Sequence, residues 1–191
     1  MDISEKKDLR GASLKGADLE KADLQGINLE KANLIEANLR GANLQGANLK
    51  GVDLFEANLK EANLKESNLV WADLRWVNLE AAHLEKAHLE GANLQGANLK
   101  WVNFKEAHLE GTNLTKTNLE EADFERANLE GANLTEANLK RTNLKGANLG
   151  EVYGLSLDQL SKVKSLYDTK LDKELLVQLK QDYPALFEVP D

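Results

Sequence analysis

Large apolar residues recur along this chain with a period of five. From Leu14 to Leu149 every fifth residue is Leu, except where Phe104 and Phe124 take its place. Two positions earlier stands a smaller side chain: Ala in 20 of the 28 units, otherwise Ile27, Val52, Ser67, Val77, Val102, Thr112, Thr117 or Thr142. Between the two lies Asn or Asp, replaced by Ser13, His83, His88 and His108. The last two positions are mostly charged, polar or Gly. A period of five is neither the 3.6 of a helix nor the 2 of a strand. On an extended segment, residues two apart point the same way, so Ala and Leu face inward together. Asn, Asp and Gly then tolerate the special backbone angles of a turn. Each unit is a short extended piece plus a turn. No unit buries its Leu alone, so the units must stack into a solenoid.

Charge sets the length of one coil. Residues one coil apart lie about 4.8 Å from each other, where like charges repel. At a separation of four units, the outward positions between Arg10 and Glu151 form 20 pairs in which both members are charged, and 16 of these are opposite in sign. At a separation of three units the count is nine opposite to seven alike. Three columns alternate without a break: Lys60-Glu80-Lys100-Glu120-Lys140, Lys65-Glu85-Lys105-Glu125-Lys145 and Glu66-Lys86-Glu106-Arg126. Phe104 and Phe124 share the four-unit spacing. Four units per coil predicts a square cross-section and about seven coils, roughly 34 Å in all.

The Ala-Asn/Asp-Leu-X-X unit, as in Ala42-Asn43-Leu44-Gln45-Gly46, resembles the pentapeptide-repeat proteins. The resemblance implies an all-β solenoid, a right-handed quadrilateral β-helix, with Leu and the preceding Ala inside. The expected layout is an N-terminal cap segment at 1–11, in which Ile3 and Leu9 are apolar, the β-helix at 12–153, and a two-helix C-terminal cap at 154–191. Ser156 and Gln159 form a capping-box pattern that opens a helix near 157–167. Asp172 is placed to cap a second helix near 173–183, which Pro184 stops. This tail is similar to the C-terminal cap of cyanobacterial and plant members. A cap is needed because an open solenoid end exposes Leu and unpaired backbone groups.

Composition narrows the function. The chain has 191 residues and no Cys, which excludes disulfides and thiolate chemistry. Three His leave little room for a triad or an elaborate metal centre. The first residues lack the apolar stretch of a secretory signal, and no apolar run is long enough to span a bilayer. The chain therefore reads as cytoplasmic. A net charge of −8 argues against direct nucleic-acid or membrane-surface binding through basic patches.

No catalytic constellation stands out, and no cofactor is implied. His88 and His108 lie one coil apart, beside Glu90 and Glu110, and form a weak candidate for a divalent ion. The alternative is that His is one more polar residue at the Asn position. A second group is Ile35, Phe55 and Arg75 in one column, with Trp71 and Trp76 at the two corners flanking Arg75. Exposed Trp and Arg are typical of partner contacts; the alternative is packing of the rings over Gly91 and Gly96. The expectation is a monomeric, non-catalytic scaffold for an unidentified protein partner. The competing reading, implied by the resemblance to the quinolone-resistance members, is a DNA mimic that binds a type II topoisomerase such as DNA gyrase. About 34 Å of duplex carries about 20 negative charges. Residues 1–150 carry a net −5 with alternating signs, far short of that field.

Overall fold

The computed structural model describes residues 8–189. Ile3 and most of the expected N-terminal cap segment lie outside the described residues. From Asp8 to Tyr153 the Asn position of each unit makes a parallel bridge to the unit four further on, as Asn43 does to Asn63. The bridges fall into four columns, here called walls: wall 1 through Asp8, Asn28 and Asn148, wall 2 through Ser13, Asn33 and Tyr153, wall 3 through Asp18 and Asn138, and wall 4 through Asp23 and Asn143. Asp8 already bridges Asn28, and Leu9 is buried. Residues 8–11 are thus a repeat unit rather than part of a preceding cap.

One unit shows why the pattern closes on itself. The N–H of Asn43 donates back to Ala22 at 2.9 Å, while those of Leu44 and Gly46 donate forward to Asn63 and Lys65 at 2.7 and 2.9 Å. The N–H of Ala42 closes the turn onto Leu39 at 3.0 Å. That leaves Gln45, whose N–H donates to the Asn43 side chain at 3.3 Å. All five donors are satisfied, as buried backbone requires. Each Asn and Asp at this position from Asp18 to Asn148 makes the same bond to the amide two residues on. Many Asn amides also donate to the carboxyl or amide oxygen one coil below, as Asn63 does to Asn43 at 3.0 Å.

Within the repeat units the left-handed backbone angle falls on the fifth position alone. Gly46 has φ +65°, and Glu66, Lys86 and Glu106 have φ of 56° to 57° at the equivalent place. This is the third residue of a four-residue turn closed from Leu to the next Ala, the type II arrangement. Of the residues able to tolerate that angle, Gly takes it here, while the Asn and Asp of the repeat accept the one amide no carbonyl reaches.

Inside, the Leu and Ala positions are buried from Leu24 to Leu149, with Ala12, Leu14, Ala17 and Ala22 of the first coil partly buried, and the Phe104 and Phe124 rings stack at 4.8 Å. The buried hydroxyls of Ser67, Thr112 and Thr117 donate to the carbonyl three residues earlier at 2.7 to 2.9 Å. Each polar atom that replaces an Ala methyl is thereby paired, so the core accepts it.

The chain leaves this rhythm after Tyr153. Gly154 stands where a Leu is due, with φ +71°, and an added Cβ there would lie 2.6 Å from Thr135 Cα. Helix α1 then spans only Leu157–Leu160, shorter than the helix expected to residue 167. Its capping box is present, with Ser156 and Gln159 bonded reciprocally. Gln159 Nε2 also donates to the Leu134 and Ala137 carbonyls at 3.0 Å each, replacing the backbone donor that another coil would have supplied. Bridging resumes beyond Tyr153 at a wider spacing, Asn143 with Ser165 and Asn148 with Lys170. The two extra residues in this coil accommodate the helical turn. Val163, expected within the helix, is buried in the irregular coil instead, as is Leu166. Helix α2, Lys173–Asp182, buries Leu179. Asp172 is its N-cap but makes no side-chain capping bond. Pro184 opens a short 3₁₀ turn, Pro184–Phe187. None of the helices in the described residues is long and apolar enough to cross a membrane.

Candidate functional site

Two outward groups depart from the polar pattern of the walls. The first surrounds wall 2. Trp71 and Trp76 occupy fifth positions, each at φ +58°, so they stand at the corners on either side of that wall. Left-handed backbone is costly for a bulky residue, and here the ladder enforces it: Trp71 N–H donates to Glu90 and Trp76 N–H to Gln95 at 3.1 and 3.0 Å. A Cβ on Gly91 would overlap the Trp71 ring, and one on Gly96 would overlap the Trp76 ring. Each indole therefore lies against a bare glycine one coil on. The rings nevertheless remain 69% and 54% exposed. Seating and exposure, weighed as alternatives from the sequence, coexist because each ring has two faces.

Between these corners the Ile35 and Phe55 side chains are half-buried. Arg75 places its guanidinium carbon 5.3 Å from the Phe55 ring centre. Its Nε and Nη2 donate to Asp73 Oδ1 and Oδ2 at 2.9 and 2.6 Å. The Arg75 hydrogen bonds hold the Asp73 carboxyl below the usual carboxylate range. Asp73 bridges Asp53, so two acids meet where most ladders have an amide donor. Arg75 supplies the compensating charge. Trp101, at the next corner round, is 49% exposed and lies under Lys100 Nζ at 4.3 Å from its ring centre. Sequence reasoning left Trp101 out of the candidate surface, although its fifth-position register was already the signal for a corner.

The second group is on wall 1. The rings of His88 and His108 stack at 4.6 Å, 2° from parallel. His88 Nδ1 lies 2.9 Å from Glu90 Oε1, and His108 Nδ1 3.6 Å from Glu110 Oε1. One ligand atom from each of His88, Glu90 and His108 lies within 4.8 Å of the others. Glu110 adjoins this set through His108.

Walls 3 and 4 carry alternating charge. Lys60 meets Glu80 at 2.8 Å, and Glu120 sits between Lys100 at 3.3 Å and Lys140 at 3.0 Å. Lys105 and Lys145 flank Glu125 at 3.2 and 3.3 Å. Hydrogen bonds from these lysines hold Glu80, Glu120 and Glu125 below the ordinary glutamate value.

Two models of pentapeptide repeats match the chain. One, in eight copies, covers residues 5–30 and 32–70, and the other, a pentapeptide repeat region, covers 77–153. Among solved structures, HetL, a pentapeptide repeat protein involved in heterocyst differentiation regulation from the cyanobacterium Nostoc sp. strain PCC 7120, is 31% identical, covering 83% of this chain and 82% of its own, with a TM-score of 0.48. A pentapeptide repeat protein from the Arabidopsis thaliana thylakoid lumen is 27% identical over 72% of this chain and 77% of its own, at a TM-score of 0.25. QnrB1, a plasmid-mediated fluoroquinolone resistance protein, is 19% identical over 88% and 95%, at 0.43. No curated protein matches the chain. Together the two repeat models cover most of the stretch whose bridges recur every four units, and the chain belongs to the pentapeptide-repeat family.

Proposed function

We propose that this chain is a non-catalytic scaffold, a right-handed quadrilateral β-helix of about seven coils, monomeric, cofactor-free and closed by its C-terminal helices. Its working surface is the corner formed by Trp71, Arg75 and Trp76 with Phe55 and Ile35 beneath, and its ligand is a protein. The observation that carries the reading is the pair of indoles, 69% and 54% exposed, each backed by a glycine and fixed by the ladder. Trp and Arg dominate the energetics of protein contacts, and rings already held in place lose little freedom on binding. DNA mimicry is disfavoured, because the lysines of walls 3 and 4 neutralise the glutamates that would otherwise form an acidic field.

The test is the double substitution Trp71→Ser/Trp76→Ser, assayed for partner capture from the native host and for thermal stability. The expected result is a loss of about thirtyfold or more in affinity with a nearly unchanged melting temperature. A clear fall in melting temperature with binding intact would make the rings mere wall covering and sink the reading.

A further inference from the structure

We infer that His88, Glu90 and His108 form a binding site for a divalent transition-metal ion of the zinc type, which staples two successive coils of wall 1. Glu110 supports it from beside His108, its Oε1 3.6 Å from His108 Nδ1.

The first observation is a charge column without counter-charge. In walls 3 and 4 each interior Glu of the outward column has a lysine above or below it. In wall 1, Glu90, Glu110 and Glu130 follow one another at the spacing of one coil. Like charges one coil apart repel. Among the described residues, Glu90 and Glu110 make no contact with any Lys or Arg; their only ion-pair neighbours are His88 and His108. Glu130 has Lys170 at 4.0 Å. The Oε2 atoms of Glu90 and Glu110 are occluded from solvent and have no hydrogen-bond partner. Glu85 Oε2 shares that condition, but Lys65 reaches its other oxygen at 3.0 Å.

The second observation is what His forgoes at this position. Asn and Asp accept the amide two residues on, whereas among the described residues His88 and His108 accept no bond from the amides of Glu90 and Glu110. Each His gives up a local hydrogen bond that the rest of the wall keeps. In exchange it presents an imidazole, and the two imidazoles lie stacked one coil apart.

The third is donor chemistry and distance. Two imidazoles and a carboxylate suit zinc, nickel or copper, whereas calcium and magnesium take oxygen ligands. Tetrahedral zinc with bonds of about 2.1 Å needs its ligands about 3.4 Å apart. The three donors already lie within 4.8 Å of one another, with His88 Nδ1 and Glu90 Oε1 at 2.9 Å. All three side chains are partly exposed and on the surface, so small rotations close the remaining distance and water completes the coordination. A carboxylate beside a metal-bound imidazole is the usual outer partner that orients the ring, which is the place of Glu110.

The test is titration of zinc chloride into the tag-free, chelator-treated full chain, followed by calorimetry, thermal melts and imidazole NMR signals. The expected result is one ion bound per chain, a raised melting temperature, and shifts in His88 and His108 with His83, on wall 4, unmoved. His88→Asn/His108→Asn places at both sites the residue most of the ladder uses, so the variant should fold without metal while losing zinc binding and the melting shift. Glu110→Gln should weaken binding by about tenfold. Absence of zinc binding at millimolar concentration, equal shifts in all three His, or undiminished binding by the double variant would each overturn the site. The His83 comparison needs no variant, so a folding failure of the mutants would not shield the proposal.

Discussion

Walls 3 and 4 differ from walls 1 and 2 in what they show to solvent, although all four share one backbone. In walls 3 and 4, Lys and Glu alternate coil by coil, and their pairs close to between 2.8 and 3.3 Å at Lys60–Glu80, Lys65–Glu85, Lys100–Glu120 and Lys105–Glu125. Walls 1 and 2 carry the stacked His, Glu90 and Glu110 without a Lys or Arg partner among the described residues, the Phe55–Arg75 stack and the indoles at their corners. The core beneath follows one rule throughout, a large apolar and a small residue per unit, with Phe104 and Phe124 replacing Leu in wall 4, and the turn is the same. The fold is carried by inward positions and backbone bonds, which leaves the outward positions free to differ. Two walls use that freedom for mutual neutralisation, and the other two carry the side chains on which the proposed partner surface and ion site rest.

The comparison breaks most severely if the walls prove unequal inside. Leu84, of wall 4, and Leu94, of wall 2, are both fully buried. Leu84→Asp and Leu94→Asp should each cost several kcal/mol, because an unpaired carboxylate enters a column of Leu. The outward change Gln95→Ser should stay within about 0.5 kcal/mol. Denaturant melts of the three variants check this, and a large gap between the two Leu variants would mean that the outward residues help to hold the core.

A smaller effect sharpens the role of the indoles. Gly46 of wall 4 and Gly96 of wall 2 have φ of +65° and +70°, so Ala at either site costs about 1 kcal/mol for the left-handed backbone. At Gly46 nothing lies within 4 Å of the new Cβ, whereas at Gly96 the Trp76 ring is already there. Gly96→Ala should therefore displace the ring, visible as a change in tryptophan emission, and destabilise more than Gly46→Ala. Equal costs and unchanged emission would show that the ring is not seated on the glycine.

Acid provides the gentlest separation. Glu80, Glu120 and Glu125 have folded-state pKa values below the ordinary glutamate value because lysines donate to them. Groups depressed in this way add stability that is present above the unfolded pKa and disappears as the pH falls through the folded one. The ladders of walls 3 and 4 should thus lose their contribution below the ordinary carboxylate range, and the loss should be modest, since exposed pairs contribute little each. Melting temperatures of the chain and of a Lys60→Gln/Lys140→Gln variant, followed from neutral pH downward, should converge in acid. A constant offset between them would remove the ladders from the account.

Much of this protein was determined by sequence alone, because a strict repeat makes local and long-range information coincide. The period of five assigned the inward Leu and Ala, and charge alternation at a separation of four units located the bridge partners, since neighbours in a ladder must avoid like charges. The Ser156–Gln159 capping box was equally legible, being a contact between residues three apart. Tertiary structure decided what depended on the neighbouring coil. Val163 follows a helical spacing, yet its stretch re-enters the ladder through Lys162, Lys164, Ser165 and Lys170, because the carbonyls and amides of the coil below compete for residues 162–170. Gly154 is required by the approach of Thr135, which no local pattern announces. Asn is suited to the left-handed angle by its own chemistry. That angle went to the last position of the unit, Glu and Trp included, because the closing bond from Leu to Ala demands it there whatever the side chain. The rotations that bring His88, Glu90 and His108 together, and those that lay the indoles on glycine, likewise arise from contact between coils, which the spacing of residues places side by side without saying how their side chains will turn.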